Sequence, residues 1–131
     1  MFYRKQQKNR TGATAVEFAI VTPILFLFVL GLIEWGRFEM VRQVTSSAAF
    51  NAAREGTLLG SSVADAERVA NDIFDLYFVY DATVDVTLTA EYAQVNVSVP
   101  MNENSFGIVQ FFGDITLERS MRLATYLRPD G

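Results

Sequence analysis

The sequence predicts an α+β protein. A long N-terminal transmembrane helix continues into an amphipathic stem, and a second short helix and a small antiparallel sheet of about three strands follow. Three observations carry this. Residues 13–33 are 21 positions with a single charge, Glu17. From Trp35 to about Arg54 the apolar residues recur every three to four positions. Beyond residue 83 the period shortens to two.

The apolar run comes first. At 1.5 Å per residue it makes a helix of about 31 Å, close to the hydrocarbon thickness of a bilayer. A domain within 131 residues has little interior for a helix that is apolar on all sides. Arg4, Lys5, Lys8 and Arg10 precede the run, and no acid does. The positive-inside rule therefore predicts a cytoplasmic N-terminus and a C-terminal domain outside the cytoplasm. Trp35 and Arg37 follow the run where a membrane-interface belt belongs. A cleavable secretory signal fits poorly: the run is long for one, and E-W-G-R-F-E-M lacks the small residues that precede a cut.

Glu17 is costly in an apolar run, on the order of 2.5–3.5 kcal/mol at a membrane centre and less near an interface. Two readings stand. It reaches the headgroups, leaving 16 apolar residues and about 24 Å, which is short for a span. Alternatively it has a partner. Pro23 lacks the N–H that would bond Ala19, so the sequence predicts a kink or local unwinding. That bend is either harmless or used in packing the helix.

The stem places Trp35, Phe38, Val41, Ala48, Ala49 and Ala52 on one side, with Arg37, Glu39, Arg42 and Ser46 on the other. Its small residues permit close contact with the chain's own domain or with a partner helix. Gly56 and Gly60 end it. Ser62-Val-Ala-Asp65 has the spacing of a capping box and opens a second helix reaching about Tyr77. Val63, Ala66, Val69, Ala70, Ile73, Phe74 and Tyr77 form its apolar stripe.

Val84, Val86 and Leu88 then alternate with polar residues, as do Val95, Val97 and Val99. These are two half-buried strands of a hairpin turning around Ala90–Ala93. A third strand is expected over Ile115–Tyr126, with Ile115, Leu117, Met121 and Leu123 on one face and Arg119 interrupting it. Between them, the loop Met101–Gly113 carries Phe106, Ile108, Val109, Phe111 and Phe112, which are expected to tuck under the sheet, with a partner-facing or membrane-touching patch as the alternative. The organisation predicted is a basic leader (1–12), a span (13–33), an extracytoplasmic stem (34–56) and a small α+β domain (57–131).

Composition excludes several functions. There is no cysteine or histidine, hence no disulfide, no thiol chemistry and no His-based catalysis or Cys/His zinc site. Beyond Gly12, seven basic residues face fifteen acids, a net of −8, which does not suit nucleic acid. There is no phosphate-binding glycine loop and no nucleophile–base spacing. The reading is a non-enzymatic protein without metal or cofactor.

A short basic leader, Gly12, four residues, then Glu17-Phe18 and an apolar helix resemble the type IV pilin-class signal. More narrowly, T-G-A-T-A-V-E-F-A-I-V-T-P-I-L-F, followed by G-L-I-E-W-G-R and A-A-R-E-G, resembles the TadE/TadF pseudopilins of tight-adherence (Flp pilus) systems. The resemblance is closest over Gly12–Arg54. It implies a pilin-like fold and cleavage of the Gly12–Ala13 bond by a prepilin peptidase. It further implies recognition and assembly roles for Glu17 and Phe18, and placement in a bacterial inner membrane. The partners implied are that peptidase, a major pilin, a sister pseudopilin and an inner-membrane assembly platform. Such a protein is a minor pseudopilin serving Flp pilus assembly and adherence. A permanently anchored extracytoplasmic binding module that is never cut is the alternative. Cleavage would expose an ammonium on Ala13, one helical turn from Glu17, and either an intrachain or a neighbouring-chain pair would offset the cost of burying the carboxylate.

Overall fold

The computed structural model describes residues 10–107 and 114–125. Helix α1 spans Arg10–Gly56, 47 residues, or about 70 Å of continuous helix. It passes Pro23 without interruption and extends slightly beyond the expected end near Arg54. Helix α2 (Val63–Leu76) follows, then strands β1 (Thr83–Leu88), β2 (Tyr92–Pro100) and β3 (Thr116–Ala124). The predicted α+β class and element order hold. The leader residues Arg4, Lys5 and Lys8 lie outside the described residues, as do Tyr126 and the apolar loop residues Ile108, Val109, Phe111 and Phe112.

The two ends of α2 are set by local chemistry. Ser62 caps it: its Oγ accepts from the Asp65 N–H at 3.2 Å, and the Asp65 carboxylate accepts from the Ser62 N–H at 3.1 Å. At the other end, the Phe78 N–H bonds Asp75 O and the Val79 N–H bonds Phe74 O. That is the Schellman arrangement. Phe78 occupies the left-handed position usually given to glycine, with φ 54°.

The sheet is an antiparallel meander with β2 central. Ala93, Val95, Val97 and Val99 of β2 are buried, opposite Val84, Val86 and Leu88 on one side and Leu117, Met121 and Leu123 on the other. The intervening positions Gln94, Asn96 and Ser98 form a polar outer face. Arg119 shares the inner face, where it opposes Val97, but its Nε reaches the rim and donates to Ser46 Oγ at 3.0 Å. Ile115 lies just before β3 and is exposed, so the expected apolar face of this strand begins at Leu117.

One core joins the helices to the sheet. Val41, Val44, Ala48, Ala49, Ala52 and Ala53 of α1 are buried with Ala66, Ala70 and Phe74 of α2 and the β2 valines. The alanines lie against the chain's own domain, because methyl side chains let α2 and the sheet approach the α1 backbone. Gly56 takes this furthest: a Cβ there would sit 2.6 Å from Leu88 Cδ2 and 3.0 Å from Ala93 Cβ. The β1–β2 turn therefore rests at the far end of α1. The opposite edge of the domain, where β2 ends and α2 stops, comes down beside residues 34–37.

Candidate functional site

Most of residues 13–33 of α1 stands exposed among the described residues, with Thr22, Leu30 and Gly31 half-buried. Phe18, Ile20, Ile24, Leu25, Phe26, Leu27 and Phe28 are all exposed, and the helix is long and apolar enough to cross a membrane. It thus fits a single-pass protein. Gly12, Ala13, Glu17, Phe18 and Pro23 share this uncovered segment. Glu17 makes no side-chain hydrogen bond or ion pair among the described residues. Gly12 is open, with nothing within 4 Å of where a Cβ would stand.

The structure departs from expectation at the exit from this segment. Glu34-Trp35-Gly36-Arg37 forms a clamp between α1 and the domain. Arg37 lies along the foot of the domain. Its Nε donates to Asn104 O at 2.9 Å, Nη2 to Phe78 O at 2.7 Å and Nη1 to Tyr77 O at 3.4 Å. A guanidinium suits this because its donors diverge in a fixed fork. Glu34, only 3% exposed, accepts from the Phe106 N–H at 3.3 Å through Oε2. Its Oε1 is buried without a hydrogen-bond partner among the described residues. Trp35 is exposed, 6.0 Å from Phe38 between ring centroids.

Asn104 completes the clamp. Its Oδ1 accepts from the Tyr80 N–H at 2.7 Å, while Nδ2 donates to Tyr80 O at 2.8 Å and Pro100 O at 2.7 Å. One buried side-chain amide thus ties the segment after α2 to the end of β2, and the backbone carbonyl of the same residue receives Arg37. Sequence reasoning missed both Glu34 and Asn104. An asparagine in a polar loop carries no distinguishing signal, whereas a second acid at the end of an apolar run does.

Phe106 does not tuck under the sheet: it is 58% exposed, with its ring 5.8 Å below the Arg37 guanidinium. Met101 and Asn104 take the buried places of that loop instead. Pinning of the backbone by Asn104 and Glu34 leaves the Phe106 side chain directed outward.

Elsewhere the outer sheet face is a shallow polar hollow of about 500 Å3, bordered by Asp85, Asn96, Ser98 and Glu118. Asp65 is held below its ordinary carboxyl value of 3.8 by hydrogen bonds from the Ser62 hydroxyl and backbone, with Arg68 adding attraction. Among the described residues no group of three or more carboxylates is placed to hold a metal ion.

An exposed apolar helix clamped to an α+β domain fits a single-pass membrane protein. Residues 12–54 match the family model described as TadE-like protein. The match runs from Gly12 through the clamp to the alanines of the stem and stops before α2. No curated protein and no solved structure matches the chain.

Proposed function

We propose that the chain is a minor pilin-like subunit of the Flp (Tad) pilus system, cut after Gly12 and serving pilus assembly and surface adherence. The observation that carries this reading is the TadE-like match over residues 12–54, laid on a helix whose first half the chain leaves uncovered. Before cutting, the leader keeps α1 in the inner membrane with its N-terminus cytoplasmic. Cutting removes four cations and creates the Ala13 ammonium beside Glu17. A carboxylate with that partner is far less costly in hydrocarbon than one without it. The matured helix then packs among other subunits through its exposed apolar surface, with Phe18 beside the charge pair and Pro23 setting its bend. The partners are a prepilin peptidase, the major pilin, a sister pseudopilin and the inner-membrane assembly platform.

Intact-mass measurement of the chain from its own host tests this. A mature chain beginning at Ala13 is expected, with pilus assembly lost in Glu17→Gln. A chain that retains residues 1–12 where the peptidase is active overturns it, as does undiminished assembly by Glu17→Gln.

A further inference from the structure

The foot of the domain carries large apolar side chains that the fold leaves uncovered. Leu76, Tyr77, Phe78, Tyr80 and Phe106 are exposed, Phe78 at 68%. Phe78, Tyr80 and Phe106 border a hollow of about 300 Å3 beside Arg37. Arg37 fixes their height. It lies four residues past Ile33, so about 6 Å beyond the apolar segment along the helix axis. The headgroup layer on each side of a bilayer is about 5–7 Å deep. Groups whose backbone carbonyls bond the Arg37 side chain, at 2.7 Å for Phe78, therefore stand at the level of that layer.

Phe78 adds an independent sign. A bulky side chain at the left-handed end of a Schellman motif is strained where glycine would not be. Phe78 stays 68% exposed all the same. Its neighbour Val79 instead makes the buried contact with Phe74 that closes the motif. Nearby charges include Asp75, Asp81 and Glu103. Beside them stands Arg37, whose guanidinium is engaged by the Asn104, Tyr77 and Phe78 carbonyls; with acids outnumbering this cation, the surface suits an uncharged boundary and aromatic insertion.

We propose that Leu76, Tyr77, Phe78, Tyr80 and Phe106 dock into the headgroup–acyl boundary of the bilayer that α1 crosses, holding the domain down on the membrane. The proposal rests on the single-pass reading of α1 and not on the cut after Gly12.

The test uses the full chain in phosphatidylcholine nanodiscs, with Trp35→Phe as background and Phe78→Trp, Phe106→Trp or Leu59→Trp as single reporters. Leu59 follows the far end of α1 and is the water-exposed control. Phe78→Trp and Phe106→Trp are expected to be quenched by brominated phosphatidylcholine, and several-fold less than Leu59→Trp by aqueous iodide, in low and high salt alike. Two reporters keep the test decisive if one variant misfolds. Phe78→Gly, which relieves the strained backbone and so preserves folding, is expected to weaken bromolipid quenching of Phe106→Trp. Iodide quenching equal to Leu59→Trp, with α1 still in the disc, overturns the docking and leaves the single pass intact. Protection from iodide without bromolipid quenching points to a protein cover and overturns it too. A chain that fails to co-purify with the discs overturns both readings.

Discussion

The two halves of α1 share one backbone and nothing else. Over residues 13–33 the apolar side chains go all the way round and mostly face outward; over 37–53 they narrow to a stripe whose centre, Val41 to Ala53, is buried, with Phe38 and Met40 half-buried and Phe50 left outside it. The first half is rich in Phe, Leu and Ile, and the second presents Val41, Val44 and four alanines to its neighbours. Large side chains on every side need an apolar surround that the chain does not supply. Small ones on one side let a second helix and a sheet close over them. The change occurs within one turn, at Glu34–Arg37, where polar side chains bond the domain's backbone. Side-chain size and distribution, rather than total hydrophobicity, decide which part of a helix a domain can claim.

The largest test of this contrast is Asn104→Ala. It strips partners from the Tyr80 N–H, Tyr80 O and Pro100 O, with a cost of about 3 kcal/mol from leaving buried polar groups unmade. Denaturant titration of the full chain in detergent micelles, followed by circular dichroism, reads it out. Thr22→Ala, which removes a hydrogen bond to Phe18 O on the exposed half, is expected to shift domain unfolding by less than about 0.5 kcal/mol. Equal losses would mean that the two halves are not energetically separate.

A smaller effect sharpens the point with one chemical change. Ala52→Leu forces a larger side chain into a fully buried site and should cost about 2 kcal/mol. Ala19→Leu, on the uncovered half, should leave domain stability unchanged in the same titration. If Ala52→Leu is neutral, the alanine stripe is loosely packed.

The smallest effect lies away from α1, at the start of α2. The folded carboxyl of Asp65 is depressed, so its contribution is fully present above the ordinary value of 3.8. It is lost as pH falls through the lower folded value. Acid titration of domain stability should show Asp65→Asn losing part of the wild-type dependence below about pH 4. An unchanged acid limb would remove the cap from the stability of the domain.

Much of this fold was legible because period and punctuation agree. The alternating valines of β2, the Ser62–Asp65 box and the stretch from Trp35 to Ala52 each predict their element within a residue or two. The loop after Met101 was misread where Phe106 is concerned. Its aromatic content predicts burial, but backbone pinning by Asn104 and Glu34 overrides hydropathy, and those bonds span 24 and 72 positions in the chain. Local pattern has no access to such distances. The bonds from Arg37 to the domain were not legible, since carbonyl acceptors are the same in every residue. The long apolar helix was legible because, among the described residues, little tertiary contact competes with its composition there.

The uninterrupted course of α1 has a mechanical consequence. A continuous helix of about 70 Å, held to the domain at Arg37 and again along the alanines, carries the domain with it when it moves. Raising the helix by one helical pitch raises the domain by about 5.4 Å, and turning it sweeps the polar sheet face around the same axis.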